Sequence, residues 1–188
     1  MNKRVFIVHG WDGTPQEPLF VWLKHRLEEE GYQVQVPAMP DSAYPRIDPW
    51  VAHLAEVVGD VDENTFFVGH SIGAQAVLRY LETLPEGKKV GGVVFIAGWF
   101  TVKNIQEMEV VEPWLKTPID FEKIKSHTRK FFAVFSDNDT WVPLGNKDFF
   151  EKNLGAETAV ESQKGHFTEA DGVRDLPVVL KKILEISS

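Results

Sequence analysis

A serine stands between two glycines at Gly69-His70-Ser71-Ile72-Gly73, a G-x-S-x-G spacing. An apolar run, Thr65 to Val68, precedes it, and a helical pattern of Ala74, Val77, Leu78, Leu81 and Leu84 follows it. A serine on a sharp strand-to-helix turn presents its hydroxyl above the edge of a sheet. Glycine is expected two residues either side, because strand and helix pass too closely there for side chains. The following helix aims its free N–H groups at the bend and favours negative charge developing there. Ser71 is therefore the candidate covalent nucleophile.

A serine hydroxyl needs a base to take its proton and a third group to orient that base. The chain has six histidines. His25 lies among charges on a helix, His53 lies beside an apolar helical stripe, and His127 ends a short helical segment. His70 adjoins the serine, but its side chain should diverge from Ser71 at the bend. His9 follows the first strand, where the backbone matters more than the ring. His166, in Lys164-Gly165-His166-Phe167, follows the last strand and lies downstream of an acidic loop, so it is the candidate base. That loop, Ser136-Asp137-Asn138-Asp139-Thr140, offers two carboxylates, and position alone leaves Asp137 and Asp139 both open. An oxyanion needs two donors. One is the N–H of Ile72, the residue after the nucleophile. The other is expected from His9-Gly10-Trp11, where Gly10 lets the backbone turn and the Trp11 N–H face the site.

Positioning these groups requires strands that all end on one side. Val5–Val8, Gln33–Val36, Thr65–Val68, Val90–Ala97, Phe131–Phe135 and Thr158–Glu161 read as strands. Helical stripes alternate with them, at Leu19 to Leu27, Trp50 to Val58, Ala74 to Leu84, Asn146 to Asn153 and Leu176 to Leu184. Residues 121–127 read as a further short helix, and residues 98–120 show no clean period. This alternation predicts an α/β three-layer sandwich, a mostly parallel sheet of about six strands with helices on both faces. Chemistry in such sheets sits at the carboxyl ends of the strands. Residues 1–188 should form a single domain, with no repeat or linker.

Composition narrows the partners. Net charge is −8, with no basic block, which argues against nucleic acid. There are no cysteines, hence no disulfide, thiolate metal site or cysteine nucleophile. Val5–Val8 is far too short for a signal-peptide core or a membrane span, so a cytoplasmic protein without membrane attachment is the expectation. A nucleotide-binding reading lacks both G-x-G-x-x-G and G-x-x-x-x-G-K-[ST].

The order Ser71, acid, His166 matches that of α/β-hydrolases. Val5-Phe6-Ile7-Val8-His9-Gly10, Trp22-Leu23-Lys24, Met39-Pro40 with Pro45-Arg46, Gly69-His70-Ser71-Ile72-Gly73, Asp139-Thr140-Trp141-Val142-Pro143 and Gly165-His166-Phe167 extend the likeness over nearly the whole chain. The sequence resembles the small single-domain serine hydrolases of the retinoblastoma-binding protein nine and YdeN family. The resemblance implies a compact α/β-hydrolase fold and a triad of Ser71, Asp139 and His166; acyl transfer by such a triad requires no metal or cofactor, and the shortness of the 98–120 insertion points to small ester or amide substrates. In this fold class an insertion such as residues 98–120 covers the site, so two readings stand side by side: Trp99, Phe100, Met108 and Trp114 line a pocket for the acyl or leaving group, or they simply pack under a long loop. Binding to the retinoblastoma protein is not expected, because the Leu-x-Cys-x-Glu segment it would use cannot occur in a chain without cysteine. A non-catalytic binding module on the same fold is the alternative, and the intact set of nucleophile, acid and base argues against it.

Overall fold

The apolar runs pair into one sheet because each can be buried on both faces, and helices of matching amphipathicity cover them. The computed structural model describes residues 3–188. Its elements are β1 (Arg4–Val8), α1 (Pro18–Glu29), β2 (Gln33–Gln35), α2 (Ile47–Val58), β3 (Thr65–His70), α3 (Ile72–Thr83), β4 (Gly92–Ile96), α4 (Met108–Lys116), α5 (Phe121–His127), β5 (Phe131–Ser136), α6 (Asn146–Leu154), β6 (Glu157–Glu161) and α7 (Pro177–Ile186). The strands lie in the order β2-β1-β3-β4-β5-β6, and every pair is parallel.

Strand residues alternate between the faces, as the two-residue period requires. Phe6, Val8, Phe67, Val93, Phe95, Ala133 and Phe135 pack beneath α2, α3, α5 and α6. Val5, Ile7, Phe66, Val68, Val94, Ile96, Phe132 and Val134 pack beneath α1 and α7. The register brings Ile7 level with Val68 and His70 level with Ile96, so the strand ends that carry the candidate residues line up. From β1 the chain first adds β2 on one side and then β3 on the other. The loops leaving β1 and β3 therefore part, opening a crevice at their carboxyl ends.

Two expectations need correction. The second helix begins at Ile47 rather than Trp50, because Pro49 falls in its first turn, where the missing N–H costs nothing. Residues 98–120, which show no clean period, nevertheless hold a helix: α4 forms within them despite Pro113 in its interior. The reason is tertiary. Val110, Val111 and Trp114 give it one buried stripe, and the Trp114 indole packs edge-on to Trp50 with centroids 6.0 Å apart. Trp114 Nε1 donates to the Pro45 carbonyl at 3.0 Å. Buried Arg79 donates to the Trp114 and Thr117 carbonyls at 2.8 and 2.9 Å, placing a cation at the end of α4 where carbonyls lack partners.

Candidate active site

β3 ends at His70 and α3 begins at Ile72, so the chain reverses on Ser71 alone. Ser71 adopts φ 53° and ψ −121°, in the positive-φ region that non-glycine residues avoid. Such a conformation costs about 1–3 kcal/mol and persists only where its surroundings impose it. The Ser71 N–H donates to the Ile96 carbonyl at 2.9 Å, and the Ser71 carbonyl accepts the Ala74 N–H at 3.0 Å. The flanking glycines serve different contacts. A Cβ on Gly69 would lie 2.6 Å from Ala74 Cα, so strand and helix do meet there. A Cβ on Gly73 would lie 2.5 Å from the His9 carbonyl oxygen and would also strike that of Val8. Gly73 thus seats α3 on the end of β1, a contact across the sheet that the strand-to-helix argument did not foresee.

The same crevice brings in the loop after β1. A Cβ on Gly10 would lie 3.3 Å from Ser71 Cβ, so this backbone runs directly against the serine. The Trp11 and Ile72 N–H groups have no acceptor among the described residues, Ile72 because it opens a helix. The Trp11 indole turns away and donates to the Ala43 carbonyl at 2.8 Å. His9 does more than the sequence suggested. Its Nε2 accepts the Met39 N–H at 3.1 Å, so Nδ1 carries the proton and donates to the Gly10 carbonyl at 2.9 Å. Burial lowers the His9 pKa, partly offset by that bond, and the neutral ring pins the loop.

Asp139 and His166 meet at 2.7 Å through Oδ2 and Nδ1, both side chains buried. Oδ1 accepts the N–H groups of Trp141 and Val142 at 2.8 and 2.9 Å. Burial pushes the Asp139 carboxyl up, but the bond from His166, the charge of that ring and the two backbone donors together hold it below its ordinary range. An ionised carboxylate accepts, so His166 Nδ1 carries the proton and Nε2 keeps a lone pair. Trp141 stands edge-on to the imidazole at 5.1 Å, its outer side open to solvent. Asp137 is elsewhere. It is exposed and accepts Ser162 Oγ and the Gln163 N–H, each at 2.8 Å, and the Gln163 N–H, first among its donors, lowers its pKa.

Ser71 Oγ and His166 make no hydrogen bond to each other among the described residues; the two are linked through His70, whose ring lies 5.0 Å from that of His166. Three further residues escaped the sequence reading. Ser136 Oγ and Asn138 Oδ1 accept the N–H groups of Lys164 and Gly165, and Asp171 accepts the N–H of His166. The clustering of Ser, Asn and Asp in strand-end turns was the available signal, since these side chains bond nearby backbone.

The predicted pocket residues are not gathered. Phe100 and Trp114 line a cavity of about 220 Å³ with Gln75, Phe121 and Phe149. Trp99 is packed in the core, where its carbonyl accepts from Gln75 Nε2, and Met108 faces solvent from the first turn of α4. The inward stripe of α4 turns Met108 outward. Among the described residues, no group of three His, Cys, Asp or Glu is placed to hold a metal, and no helix is long and apolar enough to cross a membrane.

A parallel sheet between two helical layers, bent at a serine on the end of β3, is the α/β-hydrolase fold. Solved structures agree: the ydeN gene product of B. subtilis superposes with a TM-score of 0.91 at 28% identity, covering 98% of each chain. Est1E from Butyrivibrio proteoclasticus shares the fold at 15% identity, with a TM-score of 0.71, over 97% of this chain and 89% of its own. In sequence, YdeN of Bacillus subtilis (strain 168) is 30% identical over 95% of this chain and 93% of its own length. Serine hydrolase RBBP9 of Rattus norvegicus is 28% identical over 94% of this chain and 87% of its own. The profile of the family described as serine hydrolase matches residues 5–185, and the chain belongs to that family.

Proposed function

We propose that this protein cleaves small ester or amide substrates through an acyl-enzyme on Ser71. The observation that carries the reading is the buried Asp139–His166 pair, whose histidine is joined through His70 to a serine on a strained bend. His166 Nε2 takes the Ser71 proton as Oγ attacks the carbonyl carbon, and the carbonyl π electrons move onto its oxygen. The Ile72 and Trp11 N–H groups, which have no other acceptor among the described residues, receive that oxyanion. As the tetrahedral centre collapses, the imidazolium protonates the departing alkoxide or amine. A water molecule deprotonated by His166 then attacks the acyl carbon, and the carboxylic acid leaves as Ser71 regains its proton. Asp139 keeps the imidazole in its Nδ1–H form and stabilises the imidazolium throughout. Ser71 Oγ and His166 Nε2, not hydrogen-bonded to each other in the free protein, come into reach when substrate fills the crevice, since catalytic contacts are often completed only in the substrate complex.

Phe100 and Trp114 wall the cavity that receives the acyl or leaving group, one turn of α3 beyond Ser71 at Gln75. A cavity of 220 Å³ suits short acyl chains better than long lipids. The test is labelling with a fluorophosphonate, which reacts only with an activated serine. Wild type should label at Ser71, and Ser71→Ala should lose both labelling and hydrolysis of p-nitrophenyl acetate, by on the order of a millionfold. Hydrolysis that survives Ser71→Ala in pure protein would exclude Ser71 as nucleophile.

A further inference from the structure

One imidazole stands between the nucleophile and the base and has no part in the chemistry above. His70 ends β3, directly before Ser71, and is 3% exposed. Its Nε2 lies 2.8 Å from the carbonyl oxygen of His166. A carbonyl only accepts, so Nε2 carries the proton and Nδ1 is bare. Nδ1 has no partner among the described residues, and a Cβ on Gly10 would lie 3.1 Å from it. Burial first, then the neighbouring His166, lowers the His70 pKa to about 3, so the ring is neutral wherever the protein would work.

The loop that carries His166 is otherwise fastened to the wrong place for catalysis. Ser162 and Gln163 are bound by Asp137, Lys164 by Ser136, Gly165 by Asn138, and the His166 imidazole by Asp139, all from the end of β5. The His166 N–H goes to Asp171, within the same loop region. These contacts fix the base relative to β5. Among the described residues, the bond from His70 alone ties this loop to the strand that carries the nucleophile.

We infer that His70 is a positioning residue, which sets the distance between the His166 imidazole and Ser71 by donating Nε2–H to the His166 carbonyl while its ring supports Gly10 beneath the oxyanion loop. The inference rests on Ser71 as nucleophile and His166 as base. A base displaced by about 1 Å costs on the order of 100-fold in rate. Packing alone would instead affect stability and leave turnover of the folded protein unchanged.

Two variants separate these roles. His70→Leu fills much of the space without a donor, and His70→Gln keeps an N–H at similar reach. His70→Leu should lower kcat on p-nitrophenyl acetate about 10- to 100-fold, slow fluorophosphonate labelling in proportion, and displace the acid limb of the pH–rate profile, with KM little changed. His70→Gln should recover most of kcat and the wild-type profile. A folded His70→Leu protein with wild-type kcat and profile would reduce His70 to a space-filler and overturn the inference. Should neither variant fold, imidazole ¹⁵N spectra of the wild-type protein decide. A neutral His70 protonated at Nε2 supports the bond, and an Nδ1-protonated or charged ring overturns it. Wild type that fails to label at Ser71 would sink the nucleophile assignment on which the inference stands, and the spectra would still judge the His70 bond itself.

Discussion

Replacing Asp139 by Asn is the sharpest test of the acid assignment, because the structure dictates how the amide must sit. Oδ1 accepts two backbone N–H groups, from Trp141 and Val142, whereas Oδ2 accepts one, from His166. An asparagine has one acceptor end and one donor end. Turning its NH2 toward the backbone would set donor against two donors and orphan both, at about 1–3 kcal/mol each. The carbonyl oxygen therefore stays on the backbone side, and the NH2 faces His166 Nδ1. His166 must then accept at Nδ1 and move its proton to Nε2, the atom that should take the proton of Ser71. The unfavourable flip of about 2–6 kcal/mol measures how rarely the productive tautomer appears, a factor of about 30 to 25,000. Turnover should fall within that range, with labelling by fluorophosphonate slowed in parallel. Thermal unfolding should change little, since the backbone bonds survive. Asp137→Asn is the matched control. Asp137 touches Ser162 and Gln163 and is fully exposed, so turnover should stay near wild type. A folded Asp139→Asn enzyme within about tenfold of wild type would refute the tautomer argument. A larger loss at Asp137 would reverse the assignment.

Gly73→Ala should destabilise by about 1–3 kcal/mol and reduce turnover together, because the added methyl meets the Val8 and His9 carbonyls and pushes α3 off the loop that holds Trp11; thermal melts and kcat read both effects. Stability should fall as pH drops from 6.5 toward 3. In that window the unfolded chain protonates at His70, at its ordinary 6.5, while the folded chain does not until about 3, so the stabilisation is full above 6.5 and lost below. The linked effect approaches about 5 kcal/mol, and His9, lowered by burial, adds in the same direction. Urea midpoints measured from pH 7 to pH 4 in wild type and in His70→Leu check this, and an unchanged slope in the variant would contradict it. Across p-nitrophenyl esters of increasing chain length, kcat/KM should peak at short acyl groups, and Phe100→Ala should flatten that preference.

The candidate site was legible because each part lies in a short segment with its own local rule. Gly69 and Gly73 around Ser71 announced a bend, and the carboxyl end of each apolar run announced a loop at the site. Choosing Asp139 over Asp137 needed the resemblance or the fold. Both stand in one polar turn, and only the packed turn shows one carboxylate facing inward and the other binding Gln163. α4 was unreadable because its stripe is short and contains Pro113, so Trp50, Pro45 and Arg79 must hold it from elsewhere in the chain. The same distance in sequence hid His9 and His70. Their partners, Met39 and the His166 carbonyl, lie 30 and 96 residues away, beyond any local pattern.

β3 is buried on both faces between β1 and β4, whereas β6 is one of the sheet's two outer strands and none of its five residues is fully buried. The serine thus grows out of the most protected part of the molecule, and the histidine hangs from the least protected. Proteins open in pieces, and rim elements open at lower free energy than the centre. Excursions in which β6 and its loop detach while the other five strands persist would carry His166 away and leave a folded, inert chain. Catalytic competence should then fade at lower denaturant than the sheet itself. Amide hydrogen exchange should be fast across residues 157–166 and slow across 65–70, with the active site straddling the border between two regimes of motion.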